Sequence, residues 1–428
     1  MARLLAKMIP LFKWTIITLI GLVLVIVIWG WGAYGKEIQL VQALSQDTET
    51  TYLVLFQNTL ELRPTGGFVG NFAELTIEKG RIKNYTIYNT NAFDFGKPGI
   101  DSPQPFKDML GVQQIQMRDG NWSPHFPATA EQMISLYELQ GGEKDITGVI
   151  AVNALLLPEV LRIMGPVTVD GIDEELTADN VLLTIQYELN FGFMERGVDR
   201  RDRKEPIRDL AAQLESKIST TSPMNLYRLA TMLVDQADKK QILMWSKDDR
   251  VQKRIDNLGW NGVIDTDTVG DYFMLVDANL GALKTDYYME RDIMKTVDEC
   301  GDKLCSKIRI IYRNTAKTAS ELNNDYKSYS RVILPKDAFI TNITGIESRP
   351  IPIDYSTAYN KKFAGFEINV PFNGQREVIV EYTMPQLKEY TLDIQKQSGI
   401  VGYNFELEYR PGNKKEKVFI DSDWSWKE

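Results

Sequence analysis

The sequence predicts three parts: an N-terminal transmembrane helix, an α/β domain with a mixed sheet carrying helices on both faces, and a C-terminal all-β sandwich. Three observations lead there. An uncharged apolar run, WTIITLIGLVLVIVIWGWGAYG, fills residues 14–35. Strand-like and helix-like periods alternate through the middle of the chain, as in α/β domains. Past Cys305 the texture becomes short alternating runs bounded by Gly, Pro or Asn, which reads as a sandwich. At 428 residues the chain also exceeds the ~250–300 residues at which one hydrophobic core stops growing.

The apolar run matches the ~20 residues that cross a bilayer as a helix. Trp14 stands at one end and Trp29, Trp31 and Tyr34 at the other, where amphipathic rings favour the two headgroup regions. Arg3, Lys7 and Lys13 precede the run, while Lys36 and Glu37 offset each other after it, so residues 1–13 are expected in the cytoplasm and the bulk of the chain outside. The competing reading is a cleaved signal peptide, for which the run is long and lacks a following small-x-small cleavage site. Both readings place the body beyond the membrane. An oxidising exterior lets Cys300 and Cys305 close a local disulfide; two thiols without a His or a second Cys pair nearby make a poor metal site.

The α/β domain is expected over residues 36–298. TYLVLFQN reads as a strand buried on both faces, and NFAELTIEKGRIKNYTIYNT as a hairpin turning at Lys-Gly. Residues 93–127, rich in Pro, Gly, Asp and Asn, read as long surface loops with room for one short helix. Thr129 begins a helix with a Thr-x-x-Gln capping box, and GVIAVNALLLPEVLRIMGPVTVDG gives strand, helix and strand. Further helices cover residues 178–189, 204–218, 225–239 and 247–258, and DYFMLVDANLG returns to strand. The domain boundary is expected within residues 294–303, the sandwich over 303–422, and DSDWSWKE as a frayed tail.

A net charge of −9 disfavours nucleic acid as a partner, since such binding needs a basic surface. His125 is the only histidine, so hydrolase triads have little to draw on; packing beside Pro and aromatic residues is the alternative role for it. Walker, Rossmann and HExxH signatures are absent. What remains is cationic. Arg63 lies in LRPTGGF, and Arg196, Arg200, Arg201 and Arg203 crowd a loop leading into a helix, where guanidinium groups and backbone donors together could hold a pyrophosphate. The competing reading is a solvated charge run paired locally with Glu195, Asp199 and Asp202. Arg118 joins Arg196 and His125 as a further candidate.

The stretches FQNTLELRPTGGFVGNFAEL, NWSPHFPATAEQ, GVIAVNALLLPEVLRIMGPVTVDG and VDANLGALKTDYY resemble an uncharacterised bacterial extracytoplasmic family, the domain of unknown function catalogued as four-zero-one-two. The order of elements is more distantly similar to that of the LytR-CpsA-Psr phosphotransferases, which move glycopolymers from polyprenyl-pyrophosphate carriers to the cell wall. That resemblance implies a phosphate clamp of Arg63, Arg200 and Arg203, backbone donors at Gly66 and Gly67, and hydrogen bonds from Asn58 and Thr65. It also implies a lipid groove lined by residues 181–185 and, for turnover, magnesium. The chain departs from the pattern in ending its first strand at Asn58 rather than an aspartate and in lacking the loop aspartate; Glu61, Glu74, Asp94 and Asp119 are the available substitutes. The expectation is an envelope protein on the bacterial cytoplasmic membrane that binds, and could transfer, a polyprenyl-phosphate-linked glycan or cell-wall polymer. A non-catalytic adhesion, glycan-binding or structural envelope protein is the alternative.

Overall fold

The computed structural model describes residues 49–79, 81–197, 205–347 and 354–428. The expected span at 14–35, the tail before it, and Arg200, Arg201 and Arg203 lie outside the described residues. Among the described residues, no helix is long and apolar enough to cross a membrane.

The chain begins with strands β1 (Thr50–Asn58), β2 (Phe68–Glu78) and β3 (Arg81–Asn89). Helices α1 (Thr90–Asp94) and α2 (Gln104–Leu110) come next with a small ribbon of β4 (Ile100–Asp101) and β5 (Gln114–Ile115), and then α3 (Phe126–Leu139). After these come β6 (Ile146–Asn153), α4 (Leu156–Met164), α5 (Val181–Tyr187), α6 (Glu205–Ser219), α7 (Pro223–Asp238), β7 (Ile242–Ser246) and α8 (Asp249–Leu258). Two compact units divide this path. The first takes 49–56, Asn71–Asn89 and Glu143–Asn261; the second takes Gln57–Gly70, Thr90–Gly142 and Gly262–Glu428.

The first unit is a sheet in the order β3-β2-β1-β6-β7. The hairpin read from the sequence is present, with β2 and β3 antiparallel and Asn71 opposite Asn89. Tyr52, Val54, Leu75 and Ile77 share one sheet face with Leu233 of α7 and Ile255 of α8. Capping fixes the helix starts: the Ser222 hydroxyl accepts from the Asn225 amide at the head of α7, and Asp248 accepts from the Arg250 and Val251 amides at the head of α8. A second cluster joins α4, α5, α6 and α7 through Leu161, Val181, Leu214 and Leu229.

The second unit is the β-rich part. Its later strands are β8 (Asp271–Asn279), β9 (Met289–Cys300), β10 (Lys303–Asn314), β11 (Tyr326–Pro335), β12 (Phe339–Thr344), β13 (Asp354–Ala358) and β14 (Lys361–Val370). They are completed by β15 (Gln375–Pro385), β16 (Thr391–Gln395), β17 (Tyr403–Tyr409), β18 (Lys414–Ile420) and β19 (Trp424–Lys427). Two six-stranded sheets result, β12-β15-β10-β9-β17-β18 and β13-β14-β11-β8-β16-β19. Ile293, Ile308, Ile310, Val332, Phe366, Val380 and Leu392 belong to one hydrophobic core drawn from both sheets. Cys300 and Cys305 are bonded across the β9–β10 turn, as expected.

Several expectations need correction. The boundary at 294–303 falls inside the β9–β10 hairpin, because β8 and β9 already belong to the sheets. The reason lies in β9, MERDIMKTVDEC: its inward positions are Arg291, Ile293, Lys295 and Val297, so two of four are charged and the apolar alternation is broken. Residues 93–127 are not long surface loops. They carry α1, α2, β4 and β5, and Asp94, Phe106, Met117, Asp119 and Asn121 are buried. The helix expected from Thr129 starts at Phe126, where Pro127 in the first turn favours initiation; Thr129 bonds back to the Ser123 carbonyl and no capping box forms.

Nor is the tail frayed. β19 pairs with β16, and Trp424 and Trp426 pack on the sandwich core. Chain termination after Asp421 should therefore lower the unfolding free energy by at least about 3 kcal/mol, the scale of losing large aromatic contacts. Chemical denaturation of the truncated and full chains measures this; equal midpoints would contradict it.

Candidate functional site

LRPTGGF is a turn whose arginine points inward. Arg63 is 1% exposed, which leaves it too little surface to meet an anion from solvent. One Nη donates to the Asn279 carbonyl at 2.6 Å and the Leu62 carbonyl at 3.2 Å. The other donates to Glu61 at 3.0 Å and Asp119 at 3.3 Å. Burial works against its charge, but Glu61 and Asp119 outweigh that and raise its pKa above the ordinary guanidinium value.

The glycines serve this turn. Gly66 has φ of 143°, and its amide donates to the Arg63 carbonyl at 2.9 Å. A Cβ on Gly67 would lie 2.3 Å from the Asn58 carbonyl oxygen, so the two backbone segments could not pass each other. The Gly67 amide donates to the Gln57 side chain at 3.0 Å, and Asn121 bonds both Gln57 and the Gly67 carbonyl. Both amides expected to meet an anion are thus used internally. Thr65 is buried, and half-buried Asn58 accepts from the Leu60 amide at 3.2 Å.

The suggested acidic substitutes are partly brought together. Glu61 also pairs with Lys284, and Asp119 lies 3.8 Å from Arg118. Asp94 accepts from the Met117 amide at 3.2 Å and lies 3.6 Å from Arg118; burial raises the pKa of both Asp94 and Asp119. Arg118 further donates to Gln116 at 2.7 Å and Asn91 at 3.1 Å. Glu74 lies instead in the first unit, hydrogen-bonded by Tyr88. No group of three metal-ligating side chains occurs among the described residues.

The remaining candidates are likewise engaged. His125 stacks on Tyr359 with ring centres 4.1 Å apart, and its Nδ1 accepts from the Ile264 amide at 3.2 Å, which fixes a neutral imidazole; burial lowers its pKa. Arg196 donates to Glu188 at 2.7 Å and to the Gly192 and Gly171 carbonyls. Of the expected lipid-groove segment, Val181 is core and Leu182 and Ile185 pack against it.

Sequence reasoning missed the network that continues from the turn. The Asp286 side chain, 5% exposed, accepts from the Leu62 amide at 2.9 Å and Asn279 at 2.7 Å and lies 3.8 Å from Arg291. Arg291 donates to Asp277 at 2.7 Å, which also accepts from Tyr312 and Ser330. Asp277 and Asn279, polar residues inside the apolar run DYFMLVDAN, were the available signal. Burial raises Asp286 to about 6.

A different surface is open to ligands. On the sheet containing β9, β10, β17 and β18, a hollow of about 450 Å³ is lined by residues including Asp292, Met294, Arg309, Asn404, Glu406 and Phe419. Phe419 is 51% exposed. The charges here pair among themselves: Lys417 with Glu406, Arg309 with Glu377, and Asn404 donates to Asp292 at 2.8 Å.

The buried network is open to two measurements. Arg63→Lys should cost about 3 kcal/mol or more in urea unfolding, because one ammonium cannot serve two carboxylates and two carbonyls; a change under about 1 kcal/mol would refute the assignment. For Asp286 the folded pKa is raised, so the native state binds its proton first and stability rises as pH falls from about 6 towards about 4. Asp286→Asn should flatten that part of the stability–pH curve, and an unchanged slope would contradict the assignment.

No curated protein matches the sequence. A crystal structure of a candidate nutrient binding protein from Legionella pneumophila is similar at 9% identity and a TM-score of 0.23, over 34% of this chain and 55% of that one. The present chain thus spans about half of that structure, and the likeness carries no argument about fold or ligand. These matches lend no support to the LytR-CpsA-Psr resemblance. Residues 47–189 match the family model described as "Protein of unknown function (DUF4012)".

Proposed function

We propose that this chain is a membrane-anchored envelope protein that binds glycan without transferring it, held by residues 14–35 with its bulk outside the cytoplasmic membrane. The observation that carries the choice of binding over transfer is the burial of Arg63 with both Nη atoms engaged inside the protein. A guanidinium already shared between two carboxylates and two carbonyls has no face to offer a pyrophosphate, and freeing it would leave Glu61 and Asp119 buried without their cation. The disulfide fits an oxidising compartment.

The hollow around Phe419 supports glycan as the ligand class. Its volume lies within the usual ~300–1,000 Å³ of ligand sites. Its charges are already paired, Asp292 with Arg313, Glu406 with Lys417 and Arg309 with Glu377, so a neutral, hydroxyl-rich ligand suits it better than a phosphate. The exposed Phe419 ring offers an apolar face to a sugar ring, and the neighbouring amide and carboxylate oxygens offer hydrogen bonds.

Titration of the full chain in detergent with uncharged N-acetylglucosamine oligomers tests this. Binding is expected, and Phe419→Ala should weaken it about five- to tenfold, as for loss of one aromatic contact. Absent binding, or binding indifferent to Phe419, refutes the proposal. The carrier-phosphate reading now rests on Arg200 and Arg203. A thermal shift with polyprenyl phosphate that Arg200→Ala and Arg203→Ala remove together would favour it instead.

A further inference from the structure

We propose that Lys295 and Asp271 condense into an intramolecular isopeptide bond that covalently joins the two sheets of the sandwich. Lys295 lies on β9 and Asp271 on β8, strands of different sheets. Both side chains are 0% exposed, and Lys295 Nζ lies 2.9 Å from Asp271 Oδ2. Tyr390 donates to that same oxygen at 2.6 Å, and Tyr382 donates to Oδ1 at 2.7 Å. The Tyr272 amide also donates to Oδ1, at 2.8 Å, and Lys295 reaches the Tyr382 hydroxyl.

Each part of this arrangement has a chemical use. An ion pair without water is costly, and transfer of one proton from the ammonium to the carboxylate neutralises both partners. Burial lowers the Lys295 pKa, which favours the amine. The neutral amine lone pair then attacks Cγ, and the C–N bond forms as the Cγ–O bond breaks. Water leaves with the carboxyl O–H and one proton from nitrogen, so an ammonium and a carboxylate become one amide and one water with no other reagent. The Tyr382, Tyr390 and Tyr272 donors sit where negative charge gathers on the carboxyl oxygens during attack. Fixed contact supplies the effective concentration, ~10⁵ M or more for well-oriented groups. Exclusion of solvent protects the amide from hydrolysis.

The same two strands provide a comparison. Arg291 on β9 meets Asp277 on β8 at 2.7 Å, with side chains 4% and 1% exposed. A guanidinium keeps its proton, so that pair is limited to an ion pair. Hydroxyl donors surround both carboxylates, Tyr312 and Ser330 at Asp277 and Tyr382 and Tyr390 at Asp271, so what differs at Asp271 is the amine facing it.

Intact-mass measurement of the purified full chain is the test. The expected mass is one water below that of the disulfide-bonded sequence. Digestion should yield a branched peptide joining the segments around Asp271 and Lys295, and Lys295→Met should restore the unmodified mass. An intact mass equal to that of the disulfide-bonded sequence overturns the proposal, as does a lost water mapping to another pair of residues. The measurement on the natural chain stands whether or not the variant folds.

Discussion

A charge removed from water must be met by partners, and in this protein that constraint organises the β-rich unit. Arg63 is the centre of it. Its contacts tie the 61–67 turn to Asp119 and to the end of β8, and Leu62 adds both backbone bonds and apolar packing on the sandwich core. The glycine pair, the Gln57–Asn121 bridge and the inward arginine are one solution to a packing problem, because each fixes the backbone that the next one needs.

The network extends through Asn279 and Asp286 to Arg291 and Asp277. Five acids, Glu61, Asp94, Asp119, Asp277 and Asp286, surround four cations, Arg63, Arg118, Lys284 and Arg291. The surplus is negative, and Asp286, with Oδ1 lacking a hydrogen bond, is where a proton most easily relieves it. Polar interiors of this kind rarely add net stability over an apolar core, but they penalise any rearrangement that separates the partners.

Much of the architecture was legible in the sequence. The β2–β3 hairpin, the amphipathic helices and the strands after Cys305 follow from hydrophobic period alone, and the disulfide from compartment and spacing. Two of the failures share one cause, charged side chains that turn inward. β9 hides its alternation behind Arg291 and Lys295, and the Arg63 turn reads as an anion site because an exposed arginine and a buried one look alike in sequence. Only the carboxylates 2 and 56 positions away decide between them, and tertiary structure alone brings Asp119 to Arg63. β19 was lost to brevity: Trp424 and Trp426 alternate correctly, but four residues at a chain end carry little pattern.

The central claim is that Arg63 is an internal structural cation, and a double-mutant cycle of Arg63→Met with Asp119→Asn tests it most directly. The two residues should be coupled by about 2 kcal/mol or more in unfolding free energy, since each single change strands the other partner without solvent. Additive effects would contradict the claim, all the more if Arg63→Met left stability intact while abolishing binding of a polyprenyl phosphate.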